Sequence, residues 1–94
     1  MGPKTTHLRA LLERVLPHLH ESGDAHWRDW IQKDLTAIRA EDYSGIEHFL
    51  SAFGGMGSIN DRPQDSASAI LCEAFELATE IRREIQSQTE SNGR

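Results

Sequence analysis

The stretch Phe53-Gly54-Gly55-Met56-Gly57-Ser58-Ile59-Asn60-Asp61 is the part of this chain that helix packing alone does not require. Its glycines permit backbone paths that other residues adopt only with strain. Successive amides free of side chains are also the raw material of an anion nest, and Arg62 follows with a positive charge. Known phosphate motifs do not fit. A P-loop needs a preceding strand and a Lys after its last glycine, and neither is expected here. A dinucleotide fingerprint needs a third glycine where Asn60 stands. Two readings remain, an anion nest or a tight chain reversal with Met56 and Ile59 plugged into the body of the protein, and the reversal is favoured. On that reading the contacts on offer are Met56, Ser58, Asn60, Asp61 and Arg62 rather than the glycines.

Asp34 is the second residue of chemical interest. At about 100° per residue it falls among Trp27, Trp30, Ile31 and Ile38, so its carboxylate is predicted to face inward. A buried charge left alone is costly, and donors are therefore expected. The favoured reading makes Asp34 a buried polar anchor, accepting from a Trp indole, an Arg or the amides around Gly55 to Ser58. The functional alternative pairs it with Asp61, Asn60 or His48 as an acid/base or metal site. A third possibility turns that face of the helix to solvent.

The five histidines do not have metal-ligand spacing. His18 and His20 point to opposite sides of a continuous helix, and no HExxH pair occurs. They are read as surface residues, and no metal and no cofactor is expected. Cys72 is the single cysteine, which excludes an intramolecular disulfide and leaves a thiolate zinc site without ligands. Glu73, Glu76, Glu80 and Glu84 form an acidic band beside an apolar helix face. Such a band is solvated or attracts a basic partner.

Four helices are needed to position these groups. Leu8, Leu11, Leu12, Val15, Leu16 and Leu19 repeat at intervals of three and four, predicting a first helix over about 5–20 with Thr5 or Thr6 as cap and a kink or break at Pro17. Gly23 suits its end and Asp24 the start of the next. A second helix over 25–39 carries Trp27, Trp30, Ile31, Leu35 and Ile38. The brief Glu41-Asp42 connection makes the third helix, 44–53, its antiparallel neighbour. Ser44 and Glu47 have capping-box spacing, and Gly54 is placed to end that helix. After the glycine-rich connection, Asp65 or Ser66 caps a fourth helix over 66–86, whose apolar face is Ala67, Ile70, Leu71, Ala74, Leu77, Ala78, Ile81 and Ile85. The predicted fold is all-α, a small antiparallel bundle of four helices in one domain spanning 1–94, with a disordered tail at 87–94.

Composition agrees. The chain has 94 residues, 37% hydrophobic and 27% charged, which suits one ordinary core. A formal net charge of -5 and a pI near 5.4 argue against nucleic acid, because phosphate binding needs clustered Lys and Arg. Neither a signal peptide nor a membrane span is read from the sequence, and a cytoplasmic location is expected.

Trp27 and Trp30, followed by the Phe53 to Asp61 stretch, resemble a family of small, uncharacterised bacterial helical proteins that share FGGMGS, one apolar residue, then Asn-Asp. The resemblance covers roughly the middle half of the chain. Similar proteins continue with apolar residues where this chain has Arg62-Pro63-Gln64-Asp65, so no strand or hairpin is expected after the loop. The resemblance implies the helical fold and a significant loop, and it implies no activity. The expected function is a non-enzymatic, immunity-like or regulator-like protein that binds a protein partner as a monomer or homodimer, with Glu73, Glu76 and Glu80 joining the loop residues as contacts. The alternative is a small-ligand or anion binder using the loop amides and Arg62, with weak catalysis through Asp34, Asp61 and His48.

Overall fold

In a computed structural model, residues 2–53 and 66–92 are described, and they form four helices: α1 Pro3–Glu21, α2 Ala25–Arg39, α3 Ser44–Ser51 and α4 Ser66–Asn92. No described residue lies in a strand. The all-α bundle expected from the apolar periodicity is thus the observed architecture. The glycine-rich connection, with Met56, Ser58, Asn60, Asp61 and Arg62, lies outside the described residues.

Each helix packs on two others, in the ring α1, α2, α3, α4 and back to α1. Cross-helix contacts fix the directions. Lys4 at the start of α1 meets Glu84 late in α4, and His18 near the end of α1 meets Ser66 at the start of α4. Glu13 likewise meets Arg39, and His20 meets Arg28, so α1 and α2 also run oppositely. Phe53 stacks on Phe75, while Tyr43 and Ile46 share a groove with Ile81 and Ile85, which sets α3 against α4 in the same sense. The result is an up-down-up-down bundle.

The core follows the predicted stripes. Leu8, Leu11, Leu12, Val15 and Leu19 of α1 face Ile31, Leu35 and Ile38 of α2, Phe49 of α3, and Ala67, Leu71, Ala74 and Ala78 of α4, all buried. Burial of each large side chain contributes about 1.5–3 kcal/mol, which dominates the propensity of any single helix. Alanines along α4 let that helix approach closely, while Leu16, Trp30, Phe53, Phe75, Leu77 and Ile85 are half-buried at its margins.

The helix ends differ from expectation in instructive ways. α1 begins at Pro3 with Gly2 as cap, not at Thr5 or Thr6, because proline at the first helical position loses nothing by lacking an amide hydrogen. It also runs through Pro17 without a break. Pro17 itself is exposed, and the fully buried Val15 and Leu19 on either side hold both halves to one core. Gly23 ends α1 as foreseen: with φ of 71° it donates to His20 O, and Asp24 donates to Leu19 O, the double bond of a Schellman turn. Asp24 occupies the cap position of α2, but its side chain makes no capping hydrogen bond.

Between α2 and α3 the same turn is built on a residue that dislikes it. Glu41 has φ of 59°, its amide donates to Ile38 O, and Asp42 donates to Ala37 O. The Ser44/Glu47 capping box does not form. Asp42 Oδ1 instead accepts from the Ser44 amide at 3.0 Å, which holds its carboxyl below the usual range, and Glu47 accepts from the Tyr43 hydroxyl at 2.7 Å. Tyr43 is pushed up to about 12, first by burial and then by that carboxylate. Asp42 therefore supplies the cap through its position two residues upstream, an Asx-type bond that competes with the box. α3 closes at Ser51, with Ala52 and Phe53 in tighter turns. α4 continues to Asn92, six residues beyond the boundary drawn at 86, because no glycine or proline interrupts it there.

Candidate functional site

Asp34 is 1% exposed and is the buried charged residue of the described core. Its helix face is inward, as the periodicity requires. Its partner comes from the neighbouring helix: Asp34 Oδ1 is hydrogen-bonded to His48 Nδ1. The other oxygen, Oδ2, is buried and has no hydrogen-bond partner among the described residues. Burial raises the Asp34 carboxyl to about 6, opposed by the His48 hydrogen bond and charge and, more weakly, by Lys33. An ionised carboxylate can only accept, so in the charged form of Asp34 it is His48 Nδ1 that carries the shared proton.

His48 is held on three sides. Its ring lies flat on the Trp30 indole, with centroids 4.1 Å apart and planes 15° from parallel. Trp30 Nε1 donates to the His48 carbonyl at 3.3 Å, and Ser51 Oγ donates to the same oxygen at 2.7 Å. The His48 side chain is 40% exposed, and Nε2 has no hydrogen-bond partner among the described residues. Trp30 in turn packs against Trp27 at 5.2 Å, and His26 caps Trp27 edge-on at 4.5 Å. This aromatic stack runs from the buried core to the surface.

Gly45 makes the arrangement possible. A Cβ on it would sit 2.8 Å from Ala37 Cβ and 2.9 Å from the Asp34 carbonyl oxygen, so the α2 and α3 backbones touch here. That contact brings His48 within reach of Asp34. Beside it is an open cleft lined by Lys33, Asp34, Ala37, Ser44, Gly45 and His48.

Among the alternatives for Asp34, the pairing with His48 is the one present in the described residues. His48, with 40% of its side chain exposed, is a surface histidine like the rest but also pairs with a buried carboxylate. The other four are exposed or half-exposed, with His18 on Ser66 at 3.0 Å and His20 on Arg28 at 3.1 Å. Asp61 and Asn60, the other partners weighed for Asp34, lie outside the described residues, as does any contact between Asp34 and the Gly55 to Ser58 amides. Glu73, Glu76 and Glu80 are exposed on α4, away from the Asp34 cleft, and none forms an ion pair among the described residues. Cys72 is exposed, and no group of three or more His, Cys, Asp or Glu among the described residues could hold a metal ion. No helix among them is long and apolar enough to cross a membrane.

A signal for the Asp34 and His48 pairing was present in the spacing. Both residues stand seven positions from Glu41, the centre of the α2–α3 turn, and Ala37 and Gly45 both stand four from it. In an antiparallel hairpin, residues equidistant from the turn face one another.

No curated protein and no solved structure matches the chain. A family profile described as "Domain of unknown function (DUF6966)" matches residues 20–68, a span that holds Trp30, Asp34 and His48 together with the glycine-rich segment. That span is just over half of the 94 residues, and the chain belongs to this family of domains of unknown function.

Proposed function

We propose that the chain is a non-enzymatic bacterial protein that acts in the cytoplasm by binding a basic protein partner, in the manner of an immunity or regulator protein. The observation that carries this reading is the row Glu73, Glu76 and Glu80. All three are exposed on one helix and outside any ion pair among the described residues, in a chain of net charge -5. Lys4 forms its hydrogen bond with Glu84 at 2.7 Å and feels Glu80 only through charge, so no ion pair is made to the row among the described residues. A field of one sign steers an oppositely charged partner and raises its rate of association. The loop residues Met56, Ser58, Asn60, Asp61 and Arg62 complete the proposed contact surface, and the FGGMGS stretch followed by Asn60-Asp61 is the feature expected to recur among bacterial relatives.

The test is affinity capture from the source cell with the wild-type chain and with a Glu73→Lys, Glu76→Lys, Glu80→Lys triple variant. A partner of basic pI that elutes with modest salt and is lost on charge reversal supports the proposal. Recovery of nothing salt-sensitive, or of a partner indifferent to the triple variant and to Asp61→Ala, counts against it.

A further inference from the structure

The Asp34, His48 and Trp30 constellation is not needed by a surface that binds through α4. A histidine present only to neutralise a buried carboxylate needs one bond. This one has its Nδ1 proton fixed by Asp34, its ring plane fixed by Trp30 and its backbone carbonyl fixed by two donors. When Nδ1 carries the proton toward Asp34, the ring's lone pair is confined to Nε2, the nitrogen on the far side of the ring from that carboxylate, in a side chain that is 40% exposed. Positioned and oriented by a carboxylate in this way, an imidazole is a nucleophile or a base.

The surroundings decide between the two. A general base acts on a proton that a substrate or water brings to it, whereas a nucleophile needs only its own lone pair and the incoming group. An open cleft with one activated nitrogen is instead complete for accepting a group that a partner brings. Lys33 lines the same cleft as its cation, which suits a group whose transfer demands charge stabilisation and little covalent help.

We propose that His48 Nε2 is a phosphoryl acceptor, taking the phosphoryl group of an acyl phosphate carried by a partner protein. The Nε2 lone pair forms the new N–P bond, the P–O bond to the acyl group breaks, and the carboxylate leaves with that electron pair. The Nδ1 proton stays on the bond to Asp34, whose charge offsets the phosphoimidazolium formed. The electron-rich face of Trp30 favours the same cationic ring, and Lys33 stands beside the transferred oxygens against the acidity of the whole chain. The site lies on α2 and α3 and does not depend on the α4 surface.

The test treats the full chain with phosphoramidate, maps the label by tandem mass spectrometry and assigns the nitrogen by phosphorus NMR. His48 is expected to label at Nε2 roughly tenfold or more faster than His7, His18, His20 and His26, reflecting the catalytic weight of an orienting carboxylate. Asp34→Asn should bring His48 down to the rate of the others. If that variant melts, wild type in concentrated urea serves instead, and the selectivity should vanish there. Acetyl phosphate, as a soluble acyl phosphate, should add a phosphoryl and not an acetyl group. Equal labelling of all five histidines in the folded chain, a label on Nδ1, acetyl transfer alone, or selectivity that survives both Asp34→Asn and urea would overturn the assignment.

Discussion

Gly45 carries the α3 backbone to within a methyl group's width of Ala37, so that a Cβ at position 45 would lie 2.8 Å from the Ala37 methyl. The second obstacle is the Asp34 carbonyl oxygen at 2.9 Å, which belongs to the α2 backbone and cannot swing aside. Gly45→Ala is therefore expected to push the two helices apart and to destabilise by about 1–3 kcal/mol, the usual cost of overpacking. A urea titration followed by circular dichroism measures it. The same variant should loosen the Trp30 and His48 stack, visible as a change in tryptophan emission, and an unchanged midpoint would show that α3 has room to retreat.

Glu41 offers the opposite change. It occupies the left-handed position of a Schellman turn with φ of 59°, where an L side chain costs roughly 1–2 kcal/mol and glycine costs little. Glu41→Gly should raise stability by up to about 1 kcal/mol once the greater freedom of the unfolded chain is counted. Thermal melting of the two proteins side by side decides it.

Asp34 gives stability a distinct pH dependence. Its carboxyl is raised in the folded state to about 6 from an ordinary value of 3.8, so the folded chain binds this proton more tightly than the unfolded one. The stabilisation is fully present below about pH 4 and is lost as pH rises through about 6, on the order of 3 kcal/mol in all. The lowered carboxyls of Glu13 and Asp42 act in the other direction, since their contribution is lost as pH falls. The difference between wild type and Asp34→Asn isolates the Asp34 part. In denaturant titrations between pH 4 and pH 7, the wild type should lose stability relative to the variant as pH rises.

Phe49 of α3 is fully buried in the core and meets Phe53 edge-on at 5.2 Å. Phe49→Ala should cost about 3–5 kcal/mol, since the bundle cannot collapse around a cavity that size. For a domain this small that is a large share of its total stability. Loss of a cooperative melting transition would be the extreme outcome, and a cost below 1 kcal/mol would place α3 outside the core.

The four helices were legible because each carries an apolar stripe of the right period, and burial of those stripes decides the fold. Boundaries were less legible where several local bonds compete. Ser44 and Glu47 have the spacing of a capping box, yet Asp42 reaches the Ser44 amide first and Tyr43 takes Glu47. Pro17 reads locally as a helix breaker, but the buried leucine stripe passes through it. Asp34 was readable as inward-facing from α2 alone. Its partner was readable only as one of several candidates, His48 beside Asp61, Asn60 and the donors of the favoured reading, because no motif marks His48 and only the register about Glu41 brings the two together. That register depends on a turn conformation, a positive φ at a glutamate, that residue type does not advertise.

The ring of helices closes between the two ends of the chain, where Lys4 meets Glu84 across 80 positions of sequence. α2 and α3, by contrast, are joined by a turn of a few residues. Loop closure over such different spans sets an order of assembly: the α2–α3 hairpin pairs with little entropic penalty, and the α1–α4 seam waits until the intervening chain is gathered. Mutational kinetics should then show Ile38 and Ile46 contacts largely formed at the folding barrier and Leu8 and Ile81 contacts formed after it. The seam that completes the protein is accordingly the first to open, and its opening frees α1 and α4 while leaving Asp34 and His48 joined.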